Sequence, residues 1–143
     1  MTNPAIVGVI YNKLGGAAVF DRELTTDVDL ARMVNIGAPL RALEFTRLSK
    51  PEIFELIIKD RTLRHRKEKN EPLNQDETDR LVRLTRIQSI AEEVFEDADR
   101  AETWLRQPLN ILDGQTPLAF ASTEPGARVI EQILAKIAWG AAA

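Results

Sequence analysis

Apolar positions recur at three- and four-residue steps over most of this chain, the spacing of helices that bury one face. From Thr26 onward the pattern stays helical. Thr26 followed by Asp29 reads as a capping-box start, and Leu30, Met33 and Val34 supply the first apolar face. Gly37 suits a helix stop, and Pro39 the first turn of a second helix buried by Leu40, Leu43 and Leu48. Ser49-Lys50-Pro51-Glu52 is a stronger start: a serine cap, proline in the first turn and glutamate at the third position. Ile53, Phe54, Ile57 and Ile58 follow at helical spacing. A break is expected near Lys59-Asp60, with Asp60 capping a short helix to Lys69 whose apolar anchor is Leu63.

Asn74 with Glu77 opens a long helix through about Phe95, carried by Leu81, Leu84, Ile87, Ala91 and Val94. A further helix runs to about Arg106 and ends before Pro108. Pro108, Gly114, Pro117 and Pro125 make residues 108–125 a turn-rich connection with one short helix after Thr116-Pro117. The last helix starts near Thr123–Pro125 with the stripe Val129, Ile130, Ile133, Leu134 and Ile137. Gly140 is expected to end it, leaving Ala141–Ala143 as a short flexible tail.

Residues 1–25 fit less well. Ile6, Val7, Val9 and Ile10 suggest a short strand, and Gly15-Gly16 breaks regularity. A lone strand is unstable, so this segment is expected to pair in an oligomer, pack on helices or be mobile. The fold class expected is all-α with a possible short N-terminal strand.

Composition narrows the chemistry. With 143 residues, 44% hydrophobic and 29% charged, the chain is of ordinary globular type, one domain or one with an appendage. The absence of cysteine excludes a disulfide framework, a zinc finger, an iron–sulfur cluster and thiol catalysis. The single histidine, His65, excludes a histidine-rich metal site, so neither metal nor cofactor is expected. There is no glycine-rich phosphate loop with its lysine and no G-x-S-x-G elbow, which argues against an enzyme. The apolar stretch Ala5–Tyr11 is too short for a bilayer, which takes about 20 residues, and it lacks a basic leader. A cytoplasmic protein without membrane contact is expected.

The net charge of −3 is unevenly spread. Lys59, Arg61, Arg64, Arg66, Lys67 and Lys69 stand against Asp60 and Glu68 in one short run, directly after a capped helix. That is the arrangement of a helix-turn-helix, whose second helix enters the major groove while arginine and lysine neutralise phosphate. A solvated basic helix is the other reading of the same run. Glu92, Glu93, Glu96, Asp97, Asp99 and Glu102 read as a solvated acidic face. Arg80, Arg83 and Arg86 read as a solvated row paired with nearby acids such as Asp76 and Asp79, the alternative being a supplementary contact to phosphate or to an acidic partner. Trp104 reads as core, and Trp139 is open to an interface role.

Together these residues resemble a known family. Arg61-Thr62-Leu63, then Glu71-Pro72-Leu73-Asn74 and Arg80-Leu81-x-Arg83-Leu84, look like the central part of Xre/MbcA/ParS antitoxins. Closer still is the C-terminal half. It reads Ala101-x-x-Trp104-Leu105-x-x-Pro108-Leu109-Asn110, then Leu112-x-Gly114-x-x-Pro117-Leu118 and Thr123-x-x-Gly126-Ala127-x-Val129. The family often carries paired arginines after Thr-Leu, whereas this chain has Arg64-His65-Arg66-Lys67.

The resemblance implies an Xre-like helix-turn-helix followed by a small helical toxin-binding domain. It implies an antitoxin that neutralises a RES-domain, NAD⁺-consuming toxin, binds operator DNA, autorepresses its operon and forms a homodimer. The regions expected are 1–25 (N-terminal segment), 26–73 (DNA-binding) and 74–143 (toxin-binding). Arg61, Thr62, Arg64, His65, Arg66 and Lys67 are the candidate DNA contacts. Arg128, Lys136, Trp139, Gly140, Ala141, Ala142 and Ala143 are the candidate toxin contacts, a small tail entering the toxin's cleft behind a tryptophan anchor. The apolar face of the helix over 75–97 and the segment before Thr26 are candidate dimer surfaces. The competing function is a stand-alone helix-turn-helix regulator with a C-terminal oligomerisation or ligand-sensing domain.

Overall fold

The computed structural model describes residues 5–142, with side chains through Gly140. Eight α-helices follow one another among them: α1 (Ala5–Lys13), α2 (Asp27–Ile36), α3 (Lys50–Leu56), α4 (Asp60–Lys69), α5 (Gln75–Phe95), α6 (Ala98–Leu105), α7 (Pro117–Phe120) and α8 (Glu124–Ala142). Short 3₁₀ turns over Gly16–Ala18, Leu40–Glu44 and Asn110–Leu112 complete the order. The chain forms two compact units, one through Val82 and one from Arg83 onward, dividing within α5.

No strand occurs among the described residues, and the segment read as one is helix α1. The reason lies in which residues are buried. Ile6, Val7, Ile10, Tyr11 and Leu14 are buried while Val9 is exposed, a helical period that extends past the β-branched run. The Tyr11 and Phe20 rings then meet with centroids 5.8 Å apart. Leu81, Leu84, Ile87 and Ala91 of α5 are buried as well.

Three reciprocal capping boxes set helix starts. Thr26 accepts from the Asp29 amide and Asp29 from Thr26, and Ser49 and Glu52 exchange the same pair of bonds. At α5, the Glu77 amide donates to Asn74 Oδ1 and the Asn74 amide to Glu77 Oε1, both at 2.8 Å. α2 stops at Gly37, whose φ of 100° only glycine adopts freely, and whose missing Cβ would stand 2.0 Å from the Leu73 carbonyl oxygen.

Two further expectations are corrected. The segment after Pro39 closes as a 3₁₀ turn, Leu40–Glu44, not an α-helix; Leu40 and Leu43 are only half-buried, too little apolar stripe to sustain several turns. Asp60 does not cap α4. Lys59 holds the cap position, and Asp60 lies in the first turn, where its charge suits the helix dipole.

In the second unit, Leu84, Ile87, Leu105, Leu118, Ile130 and Leu134 supply the core. Phe95 and Trp104 stack at its margin, 5.6 Å between centroids and tilted by 47°. α8 does not end at Gly140 but continues to Ala142. Alanine is the strongest helix former, which offsets the cost of one interior glycine.

Candidate functional site

α3 and α4 are joined by three residues, Ile57, Ile58 and Lys59, the link length of a helix-turn-helix. Ile53, Ile57 and Ile58 on the α3 side and Leu63 on α4 are buried. Burying Leu63 orients α4, and a helix whose one face is fixed must turn the opposite face outward.

That outward face carries Arg61, Arg64 and His65, all exposed, with Lys67 exposed on its flank. Arg64 keeps 73% of its side chain in solvent and reaches back to Asp60 at 2.7 Å, one turn away. An exposed pair of this kind stabilises little and yields to a stronger anion. Thr62 is half-buried. Arg66 lies on the opposite side. Its Nη2 donates to both carboxylate oxygens of Glu77, each at 3.1 Å, and its Nη1 lies 3.6 Å from Glu71. Only 19% of the Arg66 side chain and 7% of that of Glu77 is exposed.

The arginine row of α5 is not the solvated face that its spacing suggests. Arg80 donates to the Ile57 carbonyl oxygen at 2.7 Å, within the turn before α4. Arg83 donates to the Ser122 carbonyl oxygen at 2.9 Å and pairs with Glu124 at 3.3 Å. Arg86 lies 3.2 Å from Glu131. Sequence reasoning missed these roles because each partner is remote in sequence. The available signal was the three-residue spacing, which puts all three on one side of α5.

On α8, Arg128 and Lys136 are exposed, and Arg128 sits 3.6 Å from Glu124. Trp139 is 78% exposed, an unusual state for the largest apolar side chain. Gly140 is exposed beside it; Ala141 and Ala142 extend the helix backbone, and Ala143 lies outside the described residues. Among the described residues no group of three histidine, cysteine or acidic side chains could hold a metal ion. No helix among them is long and apolar enough to cross a membrane.

Comparison with known proteins covers both units. A family model of the antitoxin Xre-like helix-turn-helix domain matches residues 29–86. A second, the antitoxin Xre/MbcA/ParS C-terminal toxin-binding domain, matches residues 91–140. Antitoxin Xre of Pseudomonas putida is 42% identical over 123 residues, covering 82% of this chain and 76% of that protein. The chain belongs to the Xre antitoxin family. A more distant relative is the Prs ADP-ribosylating antitoxin of Sphingobium sp., 29% identical over 95 residues, or 60% of each chain. This Xre-family antitoxin therefore joins a helix-turn-helix domain, whose matched span contains α3 and α4, to a toxin-binding domain whose matched span reaches into α8.

Proposed function

We propose that this antitoxin neutralises a RES-domain, NAD⁺-consuming toxin and represses its own operon as a homodimer in the cytoplasm. DNA reading is assigned to residues 26–73 and toxin binding to residues 74–143. The observation that carries the DNA reading is the outward face of α4. Arg61, Arg64, His65 and Lys67 are presented to solvent on a helix whose other face is fixed by Leu63 and Arg66. In a helix-turn-helix the second helix reads the major groove, and its cations supply phosphate and guanine contacts. Thr62 is assigned a phosphate contact beside them. Two-fold pairing doubles the bases read and explains why a homodimer is proposed.

For the toxin, the proposed contact is the end of α8, with Trp139 as anchor, Arg128 and Lys136 as cations, and Gly140 through Ala143 as the leading end. Exposed tryptophan is enriched at binding hot spots, which supports this choice.

The test is co-expression with a RES-domain protein encoded beside this chain's gene. The expected results are recovery of a complex and survival of cells that the toxin alone kills. Removal of residues 139–143 is expected to abolish protection while leaving helical content and DNA binding intact. Equal survival with the shortened chain would move the inhibitory contact elsewhere, and absence of any complex would favour a stand-alone regulator.

A further inference from the structure

Charge alone groups Arg66 and Arg80 with the DNA-facing cations, but the geometry separates them. Arg61, Arg64, His65 and Glu68 share one side of α4 at helical spacing, and Leu63 and Arg66 share the other. The Arg66 guanidinium bonds both oxygens of Glu77, and Glu77 is itself buried. The same carboxylate accepts the Asn74 amide and so closes the capping box of α5. Three residues further along α5, Arg80 bonds the carbonyl oxygen of Ile57, in the turn from which α4 starts. The first two turns of α5 thus hold α4 at two places, through the turn before its start and through Arg66 near its end.

Other contacts from the same two turns reach the preceding segment. The Ala38 amide donates to Thr78 Oγ1 at 3.0 Å, and Gln75 donates to Asn35 at 3.0 Å. The N-terminal end of α5 is therefore the common support of the helix-turn-helix.

We propose that Arg66 and Arg80 are positioning residues for DNA reading, which set the angle of α4 from behind without touching DNA. The inference rests on the DNA-binding reading above. It makes a distinction that a structural role alone would not. A cation that touches phosphate contributes to the salt dependence of binding, about 0.9 in the log–log slope for each contact, whereas a positioning cation does not. Loss of positioning instead weakens binding at every salt concentration.

The experiment uses the full chain and a duplex spanning the sequence upstream of its own gene, titrated at several salt concentrations. Arg64→Ala is the reference for a contact residue, expected to reduce the slope by about one. Arg66→Met and Arg80→Met are expected to weaken binding on the order of tenfold, as much as one misaligned bidentate base contact, with the slope unchanged. Arg66→Met leaves Glu77 buried and unpaired, so a second variant, Arg66→Met with Glu77→Gln, neutralises the pair while glutamine keeps the capping box. It is expected to recover affinity to within about threefold of the unaltered protein at an unchanged slope, since replacing both partners of a buried pair is often neutral. If Arg66→Met does not fold, the double variant alone decides. A slope reduced by about one in the double variant or in Arg80→Met would overturn the inference, as would unchanged affinity in both single variants. Failure of the unaltered chain to bind the duplex would instead remove the DNA-binding reading, and this inference with it.

Discussion

Arg83 of α5 donates to the carbonyl oxygen of Ser122 at 2.9 Å, two residues before α8 begins. Together with the Glu124 contact, it fixes the start of the helix that carries Trp139. The Arg83 side chain is only 11% exposed, so its bonds are made in partly desolvated surroundings. Arg83→Met is expected to lower stability by about 2 kcal/mol, within the range for hydrogen bonds to charged groups. Urea unfolding of the variant checks this, and a midpoint equal to that of the unaltered chain would contradict it.

Gly126 is a packing requirement without any unusual backbone angle. A Cβ there would stand 1.8 Å from the Phe120 carbonyl oxygen, a backbone atom that cannot swing away. Gly126→Ala is expected to cost at least about 2 kcal/mol by overpacking. By contrast, a Cβ at Gly140 meets nothing within 4 Å, and Gly140→Ala is expected to stabilise α8 by about 0.5–1 kcal/mol. Thermal unfolding of the two variants should therefore move in opposite directions.

Asp29 accepts the amides of Thr25 and Thr26 and the Thr25 hydroxyl, at 3.0, 3.1 and 3.1 Å. The Thr25 amide leads in holding the carboxyl below its ordinary 3.8, at about 2. A pKa depressed by folding contributes stability that is complete above the unfolded value and disappears as pH falls through the folded one. The contribution of this cap is thus lost between about pH 4 and pH 2. Carbon-detected titration of the Asp29 carboxyl should give a midpoint near 2, and a midpoint near 4 would refute the assignment.

Trp139→Ala should separate stability from binding. With 78% of the residue in solvent, its loss is expected to change stability by less than about 0.5 kcal/mol. Toxin affinity should fall by at least about 2 kcal/mol if Trp139 is the anchor. Calorimetric titration of toxin into the variant tests the second part, and unchanged affinity would remove Trp139 from the contact.

The starts of α2, α3 and α5 were legible in the sequence because capping is local. Thr26 with Asp29, Ser49 with Glu52, and Asn74 with Glu77 each satisfy both partners within four residues. The end of α8 was not, because a glycine near a terminus reads as a stop, whereas Ala141 and Ala142 favour two more helical residues. α1 was misread because four β-branched residues in a five-residue window outweighed the Tyr11 and Leu14 continuation. At the candidate site, the basic character of α4 was visible in composition, but the direction of each side chain was not. Arg66 and Arg64 are two residues apart and equal in charge. What separates them is Glu77, eleven residues beyond Arg66 and across a turn.

The course of α8 past Gly140 also sets a size requirement. Leu134 is the last buried residue of α8 among those with described side chains, and the eight positions from Ala135 to Ala142 carry the helix on by about 12 Å at 1.5 Å per residue. An extended tail could thread a slit, but an α-helix is a rod about 10 Å across. A cleft that receives it intact must be open to that width. A narrower one would have to unwind the last two turns first, giving up their backbone hydrogen bonds before any contact offsets the loss.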